Sequence, residues 1–190
     1  LGILSSLSLP PYNFFLINFF SFSALFVYFV KQKFKLSKIE YFLNGWIFGF
    51  GYFVSSLYWI TISLTFDQTF EILIPIAFLL IPLFLGIFYG LATYIFYFFK
   101  KFSNISLILV FSLTFATSEF LRGNILSGFP WNLISFSFSE VLPLVQILSL
   151  IGTYSFNLFC LTLFILPSLF YLNKSKYNMY FVFSFGFILI

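Results

Sequence analysis

The sequence contains no histidine, a single cysteine and a single arginine, and only 7% of its 190 residues are charged. Without histidine there is no imidazole to activate a serine or cysteine nucleophile and no histidine metal site. One thiol, Cys160, cannot form an internal disulfide. It lies in an apolar run, where burial keeps a thiol protonated and inert, so it reads as a packing residue. The five carboxylates are scattered along the chain and do not form a metal-ligand cluster. A soluble domain carries about 25% charged residues. With so few, this chain cannot cover a surface facing water, and lipid is the favourable solvent for most of it.

What the chain has instead is apolar length. Hydrophobic residues make up 62%, and phenylalanine alone accounts for 35 positions. AT-rich codon usage would enrich Phe, Ile, Asn and Lys together, so no binding site is read from the Phe excess. The net charge of +4 comes from short lysine clusters between apolar runs. That is how a membrane protein orients itself, and it is no nucleic-acid signal.

A span needs about 20 apolar residues to cross roughly 30 Å of hydrocarbon. Runs at 14–30, 41–64, 72–99, 105–121 and 142–172 meet that need. The runs are continuous and lack the alternation of barrel strands, so the expected fold is all-α, a polytopic transmembrane helix bundle. Both chain ends read as cut. Residues 1–9 are mildly apolar, too short to span, and lack both an initiator Met and a positive n-region. Residues 177–190 are apolar to the last position. At 1.5 Å per residue they reach only about 21 Å. About seven segments are therefore expected, the first and last partial, with no soluble domain, repeat or linker.

Lys31, Lys33, Lys35 and Lys38 follow the first complete run, Lys100 and Lys101 the third, Lys174 and Lys176 the fifth. If each run crosses once, all eight lie on one face, the cytoplasmic one by the positive-inside rule. Asp67, Glu71 and Glu140 then lie outside. Gly45 and Gly49, Gly51 and Ser55, and Gly86 and Gly90 are four apart, a spacing that lets membrane helices approach closely.

Plain apolar helix stops at residues 118–132, Ser-Glu-Phe-Leu-Arg-Gly-Asn-Ile-Leu-Ser-Gly-Phe-Pro-Trp-Asn. Glu119 and Arg122 are three apart and share a helix face. An ionisable group within a membrane costs about 2.5–3.5 kcal/mol at the centre on insertion scales, so such a pair is a functional candidate. Arg122 has two readings. It is a helix-end cation that favours the dipole and snorkels to the interface, or a fork for a phosphate or carboxylate. Gly123, Gly128 and Pro130 then interrupt the helix, and Phe129 and Trp131 flank the proline. This is either an interfacial aromatic belt or a re-entrant loop shaping a lipid site.

These residues carry a resemblance. Glu119-Phe-Leu-Arg-Gly followed by Gly128-Phe-Pro-Trp131 resembles the signature of the membrane domain of apolipoprotein N-acyltransferases. Pro10-Pro-Tyr, Gly49-Phe-Gly-Tyr-Phe with Trp59, and Val145-Gln-Ile-Leu-Ser-Leu-Ile-Gly152 resemble further stretches of that domain. The family implies eight membrane helices, with a nitrilase-type domain between the seventh and eighth. It implies an acyl transfer from a phospholipid to the N-terminal amine of diacylglyceryl-cysteine on a lipoprotein, through a thioester on an activated Cys. It also implies the bacterial inner membrane and no cofactor. The nitrilase-like domain and the eighth helix are absent from this chain. No catalytic residue is therefore expected in it, and the chain alone is expected to be inactive. Glu119, Arg122, Phe129, Pro130 and Trp131 would help form the opening for acyl chains. A transporter module and a non-catalytic scaffold are the competing readings, although no inverted repeat with paired broken helices is evident.

Overall fold

The computed structural model describes residues 1–126 and 128–172 and is an all-α bundle. The first element, α1 (Gly2–Ser6), packs on the chain's third helix, its Gly2 seated against the backbone of Phe48 and Tyr52. Helix α2 (Leu16–Lys31) runs through continuous apolar sequence and ends at a lysine, which suits the negative end of the helix dipole. A buried relay joins the two. Ser5 Oγ donates to Asn18 Oδ1 at 2.6 Å, and Asn18 Nδ2 donates to Ser8 Oγ at 2.8 Å.

Helix α3 (Lys38–Ser56) begins with a capping box, in which Ser37 Oγ accepts from the Glu40 amide and Glu40 Oε2 accepts from the Ser37 amide. After Leu57–Trp59 the chain resumes as α4 (Ile60–Ser63) and a 3-10 turn, Leu64–Phe66, bent by 49° from α3. Asp67 caps the next 3-10 turn, Gln68–Leu73, through the Thr69 amide. Helix α5 (Ile74–Phe96) returns antiparallel to α3. The two backbones nearly touch, with Gly45 and Gly49 facing Tyr89 and Gly86. Where they meet, the Thr93 hydroxyl donates to Tyr41 O at 2.7 Å. Such close approach is how small residues join helices where lipid removes the hydrophobic driving force.

Helix α6 (Asn104–Asn124) is capped by Ser103, whose hydroxyl accepts from the Ser106 amide. It buries a stripe through Ile108, Phe111, Phe115, Ser118, Glu119 and Arg122. The stripe is aromatic at first and polar at its end. A 3-10 turn, Ile134–Phe138, leads to the short helices α7 (Leu142–Gln146) and α8 (Leu148–Ile151). Gly152, at φ +79°, turns the chain into α9 (Thr153–Ile165), followed by α10 (Ser168–Leu172). The core is largely aromatic, with Phe22, Phe26, Phe29, Phe96, Phe111 and Phe115 in mutual ring contact.

Three described helical segments are long and apolar enough to cross a membrane: Gln68–Phe99, Asn104–Asn124 and Thr153–Leu172. A fourth is the bent pair Lys38–Ser56 with Ile60–Phe66. The expected run at 14–30 is a helix of 16 residues, about 24 Å long at 1.5 Å per residue. It starts late because Asn13, at φ 55°, and the turn after it take up the first residues. The run at 142–172 is divided at Gly152. The expected partial run at 177–190, with Lys174 and Lys176, lies outside the described residues.

Tyr41, near the start of α3, stacks on Phe29 near the end of α2 and meets Tyr97 just after α5. Lys31, Lys33, Lys35, Lys38, Lys100 and Lys101 therefore share one end of the bundle. The corner after α6 lies at the other end, against the C-terminus of α3.

Candidate functional site: an enclosed ion pair and the corner it holds

The polar end of the α6 stripe is sealed inside the bundle. Glu119 is 0% and Arg122 1% exposed. Glu119 Oε1 accepts from the Tyr89 hydroxyl at 2.6 Å. Its Oε2 accepts from Asn157 Nδ2. Arg122 Nη2 lies 3.7 Å from Oε1. One carboxylate thus ties α5, α6 and α9 together. Asn157 serves twice, because its Oδ1 also accepts from the Ser135 amide at 2.9 Å. A buried charge is tolerated only when paired and hydrogen-bonded, and this one is.

Arg122 faces the other way along the chain. Its Nη1 donates to Phe129 O at 2.8 Å and to Trp131 O at 2.7 Å. In return the Phe129 amide donates to Arg122 O at 2.8 Å. The guanidinium carbon lies 5.0 Å from the Phe53 ring centroid, a cation–π contact. Nε and Nη2 make no hydrogen bond among the described residues. The sequence readings of Arg122 capture this placement only in part. Arg122 does lie in the last turn of α6, as the helix-end reading expects, but its guanidinium is enclosed and does not snorkel to the interface. It is an internal clamp on the main chain of the corner.

The corner is built to be gripped. Gly128 sits at φ +76°, and a Cβ there would come within 2.6 Å of Gly123 O. Pro130 has no N–H to satisfy between the two gripped carbonyls. Asn132, at φ 57°, donates to Ser56 O at 3.1 Å, and its own carbonyl accepts from the Tyr52 hydroxyl at 3.0 Å. Trp131 is 56% exposed and meets the Trp59 ring edge-on at 6.2 Å between centroids.

Of the five residues singled out from the sequence, Glu119, Arg122, Phe129 and Trp131 meet through this clamp. Pro130 sits exposed among them. Sequence reasoning missed Tyr89, Asn157, Tyr52 and Asn132. The usable signal was a polar group on an otherwise apolar buried face, most visibly Asn157 within α9. A neutral interhelical hydrogen bond in a membrane bundle averages about 0.6 kcal/mol. One to an enclosed carboxylate is stronger, so Tyr89→Phe should cost about 1–2 kcal/mol, read from the denaturation midpoint in mixed micelles.

The comparison with known sequences agrees with this architecture. The family model described as the apolipoprotein N-acyltransferase N-terminal domain matches residues 1–166. An apolipoprotein N-acyltransferase of Brucella melitensis is 34% identical over 181 residues, covering 88% of this chain and 33% of the relative. Proteins of the same name from Rhizobium etli and Rhodopseudomonas palustris are each 34% identical, over 177 and 170 residues. They cover 89% and 88% of this chain, and 33% and 32% of their own lengths are matched. The chain spans about a third of the length of these curated relatives. With the family's N-terminal domain running from its first residue to the end of α9, this chain belongs to the apolipoprotein N-acyltransferases.

Proposed function

We propose that the chain is the lipid-handling membrane part of an apolipoprotein N-acyltransferase of the bacterial inner membrane. The whole enzyme would move an acyl chain from a phospholipid to the N-terminal amine of diacylglyceryl-cysteine in a lipoprotein. The nucleophile would belong to a nitrilase-type domain outside these residues. The lysine-bearing end would face the cytoplasm, and the Arg122 corner the outer side.

The observation that carries this reading is the clamp itself. A buried ion pair holds an irregular, aromatic corner at the end of the bundle away from the described lysines. Irregular backbone at membrane depth is tolerated where protein shields it or where it lines a cavity. Apolar tails need such an opening, and a phospholipid's ester bonds lie just beyond the hydrocarbon.

Nothing among the described residues favours the chain as the seat of the covalent chemistry. Cys160 is fully buried in α9. Glu119 is already engaged by Tyr89, Asn157 and Arg122. The described lysines sit at the far end. A general base must come within about 3 Å of the group it deprotonates.

The test is a chimera in which this chain replaces the matching third of the Brucella melitensis relative. N-acylation of a diacylglyceryl peptide, followed by mass spectrometry, should be retained by the chimera and lost when that third is deleted. A chimera that inserts, folds and transfers nothing would refute the proposal. For orientation, Lys100 and Lys101 should resist a membrane-impermeant amine reagent in intact cells and react once the membrane is opened.

A further inference from the structure

A groove of about 730 Å3 runs along the bundle surface between α2 and α10 and ends at Lys31. Its lining takes in both ends of α2, Leu16 and Lys31. At 1.5 Å per residue that is about 22 Å, more than the half-thickness of a hydrocarbon layer of roughly 30 Å. The hollow follows from side-chain size. Phe20, Ala24, Val27 and Lys31 recur at helical spacing on one face of α2. Ser23 and Ala24 are small where Phe20 and Tyr28 on either side are large. The Ser23 hydroxyl is spent on Phe164 O at 2.9 Å, so this stretch of α2 offers apolar surface to the groove.

The closed end has a different chemistry. Lys31 Nζ donates to the Tyr171 hydroxyl at 2.8 Å and lies 4.2 Å from that ring's centroid. An ammonium has three donors, of which Tyr171 takes one. The phenol accepts in that bond and keeps its own proton to give. Both side chains are exposed. Among the described residues no carboxylate lines the groove, and Lys31 forms no ion pair. An anionic oxygen seated between Lys31 and Tyr171 would accept from both. A zwitterionic head group would instead bring its ammonium beside a lysine, with no acid in the lining to receive it.

We propose that the groove between α2 and α10 docks one anionic phospholipid, with its phosphate between Lys31 and Tyr171 and one acyl chain laid along Ala24. A long apolar channel ending in a cation and a phenol matches an amphiphile with one negative head. The site lies at the opposite end of the bundle from the Arg122 corner. The lipid held there is a structural one, which joins α2 to the distant α10, and the inference goes beyond the acyl-transfer reading. Under the orientation proposed above, its leaflet is the cytoplasmic one.

Native mass spectrometry tests this with the chain released from nanodiscs of equal phosphatidylglycerol and phosphatidylcholine. One lysine near the membrane surface favours an anionic lipid by about fivefold. Chains that keep one lipid should carry phosphatidylglycerol over phosphatidylcholine by about that ratio. Lys31→Ala should bring the ratio close to unity, and Lys31→Arg should keep it. Tyr171→Phe, which loses the phenol proton and keeps the ring, should fall between. Lys100→Ala, at the same end but over the Tyr97 ring, should change nothing. Phosphatidylglycerol with a photoreactive group in its acyl chain should label α2 and α10, and Ala24→Phe, which fills the groove, should abolish that labelling.

Equal retention of the two lipids by the unmodified chain would overturn the inference, as would a preference that survives Lys31→Ala. Undiminished labelling in a folded Ala24→Phe variant would place the lipid elsewhere and also overturn it. Failure of the photoreactive lipid to label α2 and α10 would mean that protein, either another part of this chain or a second copy, fills the groove instead. None of these outcomes touches the acyl-transfer reading, which stands or falls with the chimera.

Discussion

Glu119→Ala is expected to cost about 3–5 kcal/mol of stability, the usual result of removing one partner from a buried ion pair. The loss has several sources. Arg122 would remain enclosed without its counter-charge. The Tyr89 hydroxyl and the Asn157 amide would lose their common acceptor. Each is a buried donor, and a buried donor left unmade costs about 1–3 kcal/mol. The surroundings are protein and lipid, so bulk water cannot reach in to compensate. The measurement is the denaturation midpoint in mixed micelles of increasing denaturing detergent. Limited proteolysis between residues 125 and 141 should report loosening of the corner ahead of the rest. Glu119→Gln keeps the shape and one acceptor oxygen and should fall between wild type and alanine. A Glu119→Ala protein within about 1 kcal/mol of wild type would mean that the pair does not organise this end of the bundle.

Gly45→Leu is expected to have the second largest effect, about 3 kcal/mol or more, at or beyond the upper end for overpacking a well-packed site. A Cβ at position 45 would meet Tyr89 O at 2.6 Å and press on the Thr93 side chain. The nearest obstacle is the Thr93 hydroxyl, but the Tyr89 carbonyl behind it is backbone, so no rotamer change alone relieves the clash and α5 must move off α3. That movement would break the Thr93–Tyr41 hydrogen bond and shift Tyr89 away from Glu119. Damage at the helix crossing therefore reaches the ion pair. Gly51→Ala is the control. Its Cβ would approach nothing closer than 3.4 Å, and alanine is the better helix former by about 1 kcal/mol. A Gly45→Leu protein as stable as the Gly51→Ala control would show that the crossing is not tight.

Much of the helical layout was legible because lipid demands continuous apolar length and punishes everything else. The run at 105–121 became Asn104–Asn124, with a serine cap at one end and the Glu119–Arg122 pair near the other. The bend after Ser56 was not legible. Leu57, Tyr58 and Trp59 are as apolar as their neighbours, so hydropathy runs straight through them. Nor was the break at Gly152 read, since the expected run at 142–172 passed through it, although its positive φ is one that favours glycine.

At the site, the spacing of Glu119 and Arg122 announced the pair, because helix geometry alone puts them on one face. What Arg122 holds could not be read. Its partners are main-chain carbonyls, which every residue carries and which no sequence pattern distinguishes. The Tyr89 and Asn157 contributions depend on how three helices are rotated against one another, a tertiary fact without a local signature.

Because Arg122 holds carbonyl oxygens, the corner's shape is decoupled from the identities of Pro130 and Trp131, whose side chains face outward. Substitution of those two side chains should therefore leave the frame beneath them in place, provided that Gly128 keeps its turn. Changes at this mouth would alter the surface it offers while the enclosed acid and base stay fixed, much as interchangeable bits fit a single chuck.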